Sequence, residues 1–144
     1  MKIILKKLNE KAVIRVRGSR YAAGYDLYAC LDEAVTIPPH TTAKIGTGLS
    51  ASVPEGWFGA IFARSGLALK EGLRPANCVG VCDSDYRGEY IVALHNDSEE
   101  TRIITHGERI AQVVFLPFAE AEFEFSDTLP ETERNSGGFG STGI

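Results

Sequence analysis

At 144 residues, 44% hydrophobic and 24% charged, the chain is the size of one ordinary domain and can bury a core without covalent staples. It holds no apolar run long enough to span a bilayer, and its net charge of −4 argues against a general nucleic-acid binder, which needs a basic footprint. Cys30, Cys78 and Cys82 are too few and too odd in number for a disulfide framework, so a reducing cytoplasm is the expected location.

Residues 1–7 interleave apolar side chains with lysines and lack the longer apolar stretch of a signal peptide, which predicts a first strand. Runs rich in β-branched and aromatic residues follow at 12–16, 25–30, 41–53 and 57–63. A single short helix is predicted over Ser65–Glu71, with Gly66 and Gly72 limiting it. Beyond it, 77–82 and 89–95 read as the two arms of a hairpin, and further strands are predicted at 102–105 and 109–115. Turn signals separate these runs: Pro38-Pro39, Pro54-Glu55-Gly56, Asn96-Asp97-Ser98 and His106-Gly107. Residues 121–125 alternate apolar and acidic side chains, as a half-buried strand would. Many short strands with scarcely any helix predict an all-β sandwich, jelly roll or closed barrel. The predicted organisation is one domain, a β core over 1–125 followed by a glycine-rich C-terminal arm over 126–144, where the apolar period stops. Such an arm offers no core face and is either disordered or ordered by a ligand or another subunit.

The candidate chemistry lies in five places. Asp26, in the run Gly24-Tyr25-Asp26-Leu27, is an acidic residue among apolar ones, suited to a turn or to anchoring hydrated Mg²⁺ through water. Arg64, Ser65 and Gly66 set a cation and a hydroxyl at the helix start, where an anion is favoured; N-capping alone would account for Ser65 but not for Arg64. Asp83-Ser84-Asp85-Tyr86-Arg87-Gly88 begins like a calcium loop, but Arg87 and Leu94 stand at positions that need oxygen ligands, so calcium is rejected. An aspartate at such a strand end suits either a turn cap or a general base. Gln112 interrupts the apolar run of 109–115 and needs a buried partner, from neighbouring backbone or a phosphate.

The fifth is the tail. Gly138-Phe139-Gly140-Ser141-Thr142-Gly143 matches a dinucleotide fingerprint formally, but no helix follows to hold a pyrophosphate, and no lysine completes a Walker loop. Its local physics still suits a nucleotide. Small residues let backbone N–H groups approach phosphate, Ser141 and Thr142 add hydroxyls, Arg134 adds a forked cation, and Phe139 offers a ring for a base. A bound transition metal is not expected: the three histidines are scattered, and Cys78 and Cys82 on one strand would stand about 13 Å apart.

Taken in order, the segments 24–29, 63–68, 77–89, 107–115 and 134–143 resemble the five motifs of the trimeric deoxyuridine triphosphate nucleotidohydrolases, or dUTPases. The resemblance implies an all-β jelly roll or distorted barrel and a homotrimer. It implies hydrolysis of dUTP to dUMP and pyrophosphate at sites shared between subunits, which limits uracil in DNA and supplies dUMP for dTMP synthesis. By that resemblance Asp83 matches the base that activates water. Tyr86 matches the ring beneath the deoxyribose. Asn77, the backbone of Gly80, Val81, Cys82 and Asp83, and Ile91 match the reader of uracil. Arg64, Ser65, Gly66 and Gln112 match phosphate contacts, and Asp26 orients Mg²⁺ through water. Phe139 and Gly140 close over the base, while Arg134, Ser141 and Thr142 reach the terminal phosphates. Two departures stand out: Ala63 in place of a frequent Pro, and Cys82 in place of an aliphatic residue, which predicts sensitivity to thiol reagents. A dCTP deaminase relative and a nucleotide-binding regulatory protein are the alternatives.

Overall fold

The computed structural model describes residues 1–13 and 17–138. In chain order the elements are β1 (Ile4–Lys7), β2 (Tyr25–Tyr28), β3 (Val35–Ile37), β4 (Thr42–Gly46), β5 (Leu49–Ser52), β6 (Trp57–Phe62), α1 (Ser65–Glu71), β7 (Leu73–Pro75), β8 (Gly80–Cys82), β9 (Ile91–Asn96), β10 (Arg102–Ile104) and β11 (Arg109–Pro117). The strands form a four-stranded sheet β2-β11-β6-β8, a three-stranded sheet β4-β9-β7, and two ribbons, β1-β5 and β3-β10. Every described ladder is antiparallel. Short antiparallel strands, one helix and inward aliphatic faces give the all-β jelly-roll architecture.

The core is aliphatic. Ile37, Ile45, Leu73, Leu94, Ile104 and Ile110 are all fully buried, each contributing roughly 1.5–3 kcal/mol on burial. β9 shows why the strands hold their register: Val92, Leu94 and Asn96 face inward while Ile91 faces out, so a one-residue slip would expose the whole set. Asn96 is tolerated inside because its amide is saturated. Its Nδ2 donates to the carbonyls of Ile37 (2.9 Å) and Glu100 (2.8 Å), and its Oδ1 accepts from the Ser98 N–H and hydroxyl.

The helix falls where it was predicted. Two expectations differ from the structure. The arms of the expected hairpin belong to different sheets: β8 pairs with β6, whereas β9 pairs with β4 and β7. The chain leaves β9 as a partner at Ala76, whose N–H donates to the Ala93 carbonyl, and turns through Cys78 at φ 61° into the other sheet. Residues 121–125 form no strand, and Phe123 and Phe125 are fully exposed, because nothing among the described residues pairs with them. The last strand ends at Pro117. The strand expected at 12–16 lies partly outside the described residues; Ala12 and Val13 belong to none. β3 and β7 are additions, each of three residues.

Candidate active site

Sheet register assembles one half of the site. Asp26 on β2 lies directly opposite Gln112 on β11, and Gln112 lies opposite Phe62 on β6. Opposed residues in antiparallel strands project to the same face. The chain continues from Phe62 through Ala63 to Arg64, and both are tied to this row. Gln112 Nε2 donates to the Ala63 carbonyl at 2.9 Å, and Arg64 Nε donates to Asp26 Oδ1 at 3.0 Å. Asp26, Arg64 and Gln112, expected on three separate motifs, therefore converge. A second guanidinium joins them: Arg109 Nη1 lies 3.4 Å from Asp26 Oδ2, and Arg109 was not among the expected site residues. Arg64 and Arg109 line a polar depression together with Tyr28, Leu67, Gly107 and Glu108.

Gly24 is required for this packing, since a Cβ there would run into Gln112 Oε1. Gly24→Ala is expected to displace the Gln112 amide and reduce kcat/KM on dUTP by about tenfold or more, the scale of one lost buried hydrogen bond. Steady-state kinetics with a melting curve would check it; wild-type kinetics would show that Gln112 tolerates displacement.

Ser65 and Gly66 open α1 and are exposed. Capping does not explain Ser65: the N-cap is Arg64, extended at φ −88° and ψ 128°, and no side chain caps the helix. Ser65 is thus left exposed at the helix start, next in sequence to the arginine.

The other half is built on β8, the edge strand of the four-stranded sheet. An edge leaves one row of backbone N–H and C=O groups without strand partners, which is the fixed donor–acceptor pattern needed to read a base. Val81, Tyr86 and Ile91 are exposed around it, as are Asn77 and Asp83. Asn77 Nδ2 sits against Gly80, where a Cβ would stand 3.5 Å from it. The connection from Asp83 to Tyr90 is anchored to the start of β5. Ser50 Oγ donates to the Arg87 carbonyl (2.8 Å), the Tyr90 N–H to Leu49 (2.8 Å), the Gly48 N–H to Glu89 Oε1 (2.6 Å), and Thr47 Oγ1 to Tyr90 (2.7 Å). Within the loop, the Tyr86 N–H donates to the Asp83 carbonyl (3.2 Å) and its hydroxyl to the Glu89 carbonyl (3.0 Å). The Tyr86 ring lies over Gly88, where any Cβ would collide with it, and stacks on Tyr90 at 6.4 Å. The ring that is expected to meet the sugar is therefore held from below.

The two halves of one chain do not meet. Ile61 pairs with Gly80 and Gly59 with Cys82, so Asp83 leaves the sheet at the end away from Phe62 and Gln112. Two strand spacings and about four residues of rise separate Asp83 from Gln112, roughly 15 Å. Arg134 lies on the arm, exposed, with its Nε donating to the Gly137 carbonyl at 2.8 Å. Phe139, Gly140, Ser141 and Thr142 lie outside the described residues.

Cys82 corrects an expectation. Its side chain is buried, and burial pushes its thiol up to about 11. Its neighbour is the buried Tyr90 hydroxyl, which reaches no oxygen or nitrogen partner; thiol and phenol make only a weak pair. The reactive species is the thiolate, so Cys82 is shielded both sterically and electronically. Iodoacetamide at neutral pH is expected to label the exposed Cys78 while Cys82 stays unmodified, as read by peptide mass spectrometry. Equal labelling of both would contradict the burial.

Known proteins resemble this chain in sequence and in fold. A family model for dUTPase matches residues 10–143. The deoxyuridine 5'-triphosphate nucleotidohydrolase of Desulfitobacterium hafniense (strain DSM 10664 / DCB-2) is 55% identical over 124 residues, 85% of this chain and 82% of that one. Among solved structures, a variant of the phage 80alpha dUTPase superposes with a TM-score of 0.88 at 28% identity, covering 97% of this chain and 98% of that one. A variant dUTPase from phage phi11 of S. aureus, whose structure describes the coordination of a structural Mg(II) ion, superposes with a TM-score of 0.80 at 25% identity, covering 89% and 98%. With a family model matching residues 10–143 and a relative 55% identical over 85% of this chain, the chain belongs to the dUTPase family.

Proposed function

We propose that this protein is a dUTP diphosphatase, hydrolysing dUTP to dUMP and pyrophosphate by attack of water on the α-phosphorus. The observation that carries the reading is the convergence of Asp26, Arg64 and Gln112 on one sheet face, with a base-reading edge strand elsewhere on the same chain. Arg64, Ser65, Gly66 and Gln112 take the phosphates. Asn77, Ile91 and the backbone of Gly80, Val81 and Cys82 take uracil, and a hydrogen-bonding site of this kind rejects a mismatched base by several orders of magnitude. Tyr86 packs under the sugar and leaves no space for a 2′-hydroxyl. Asp83 accepts the proton of the attacking water as the new P–O bond forms and the pyrophosphate oxygen leaves. Arg134, Phe139, Gly140, Ser141 and Thr142 close the site and exclude bulk water.

The family resemblance implies Mg²⁺. Among the described residues no group of three or more His, Cys, Asp or Glu is placed to hold a metal ion, and Asp26 is a single carboxylate between two guanidiniums. That donor set suits an ion held mainly by triphosphate oxygens, with Asp26 ordering its water shell. When bound, the ion offsets phosphate charge and orients the chain of phosphates.

The roughly 15 Å between Asp83 and Gln112 in one chain supports a homotrimer in which one subunit supplies Asp26, Arg64 and Gln112, a neighbour supplies the Asp83 loop, and the third lends its arm. No helix among the described residues is long and apolar enough to cross a membrane. Three free cysteines suit a reducing compartment, and a cytoplasmic location is part of the proposal. No particular observation favours the deaminase or the purely regulatory reading. Hydrolysis in ¹⁸O-water tests the chemistry: the label should appear in dUMP, and label in pyrophosphate would overturn attack at the α-phosphorus.

A further inference from the structure

Arg109 lies outside the roles assigned above, and two independent features mark it. The first is backbone. Between Arg109 and Ala111 the register of β11 against β2 shifts by a bulge, pairing Arg109 with Tyr28 and Ala111 with Leu27. Ile110 and Ala111 are both buried as a result, and Arg109 falls on the same face as Gln112 and Asp26, which strict alternation would forbid for residues three apart. Bulges beside active sites re-aim side chains, and this one aims a guanidinium.

The second is the pattern of ion pairs. Asp26 is shared by two cations that are held unequally. Arg64 approaches at 3.0 Å and its side chain is 24% exposed; Arg109 approaches only to 3.4 Å, beyond a good hydrogen-bond distance, and is 51% exposed. Arg64 and Arg109 stand at the depression against Asp26 and Glu108, so formal charge is balanced there, and Arg109 is the less firmly held of the two cations. A triphosphate outbids a single carboxylate for guanidinium forks, since it offers more charge and more acceptor oxygens.

We propose that Arg109 is a positioning residue that exchanges partners: it holds Asp26 in the free protein and turns to the β- or γ-phosphate when the nucleotide arrives, which frees Asp26 for the water shell of the cation. This rests on the reading of the site as one for dUTP. Arg109 thus couples triphosphate entry to the availability of Asp26, and it adds affinity for phosphates beyond the first.

The test measures binding as well as turnover. Affinities of dUMP and of a non-hydrolysable dUTP analogue are determined by calorimetry for wild type, Arg109→Gln and Arg109→Lys, with and without Mg²⁺. In Arg109→Gln without Mg²⁺, analogue affinity should fall by about tenfold while dUMP affinity stays unchanged. The gain in analogue affinity on adding Mg²⁺ should be larger than in wild type, because the phosphate charge that Arg109 would offset is left to the cation. Arg109→Lys should recover part of the loss, and it keeps the question answerable if the Gln variant is unfolded. Equal losses for dUMP and analogue, or an unchanged response to Mg²⁺, would reduce Arg109 to a structural ion pair and overturn the proposal. Failure of the wild type to bind the analogue would instead remove the dUTP reading itself, and this inference with it.

Discussion

Asp83→Asn is expected to lower kcat on dUTP by roughly two to four orders of magnitude, the range for loss of a positioned general base. Among the described residues, no ion pair or side-chain hydrogen bond engages the Asp83 carboxylate, in contrast to Asp26, which two arginines hold. An unencumbered carboxylate can accept a proton; a carboxamide of the same shape cannot. Asp83 is exposed, and its loop is held by backbone bonds and by Ser50, Thr47 and Gly48, so stability should change by no more than about 0.5 kcal/mol. dUTP binding should survive, because the uracil contacts are proposed to come from β8 and the phosphate contacts from Arg64 and Gln112. The pairing of unchanged melting temperature and retained affinity with lost turnover isolates the chemical role. A variant that keeps full turnover would assign the base elsewhere.

Removal of residues 134–144 is the second large effect. Residues 118–138 contain no strand, and among the described residues the hydrogen bonds of Arg134 run to its own turn with Gly137, so the core is expected to keep its stability. Turnover should notice. Phe139 stacked on a base is worth roughly 1–3 kcal/mol, and one charge-assisted bond from Arg134 adds about 1.5–3 kcal/mol. Together these correspond to a drop in kcat/KM of roughly a hundredfold or more. The proposed closure would also exclude water that competes for the electrostatics of the site. The check is kinetics on a truncated protein whose melting temperature and oligomeric state match the full chain. Full activity in that protein would remove the lid from the account.

Much of this was legible in the sequence where local rules act alone. The helix at Ser65–Glu71 has a glycine at each end and nothing to compete with its own turn, and it forms as read. β6 and β11 read as strands because their β-branched and aromatic runs are long. Pairing was harder. β8 and β9 are neighbours in sequence, yet the pairing of each is settled by distant strands, and the left-handed turn at Cys78 through which the chain changes sheets has no glycine to announce it. β3 and β7 are too short for periodicity, and Pro75 within β7 argues against a strand unless its other contacts are known. The alternation over 121–125 was a true apolar stripe, but a stripe says nothing about where its partner lies; Phe123 and Phe125 remain exposed.

The site divides in the same way. Asp26, Arg64, Gln112 and Asp83 stood out because each is a polar residue in a setting that does not need one. Arg109 did not, since a charged residue opening a strand is ordinary and the bulge that aims it leaves no periodic signature in a four-residue stretch. Cys82 was misjudged for reactivity because burial is a tertiary property. Its neighbour Tyr90 supplies cover that sequence spacing cannot reveal.

The most direct test of the central claim is the rate of pyrophosphate release from dUTP, dCTP, dTTP and UTP in parallel, with and without Mg²⁺. Strong preference for dUTP is expected, with UTP rejected by the Tyr86 ring, dCTP rejected by the β8 backbone, and a lower rate without Mg²⁺. Comparable release from dUTP and UTP, or from dUTP and dCTP, would contradict it.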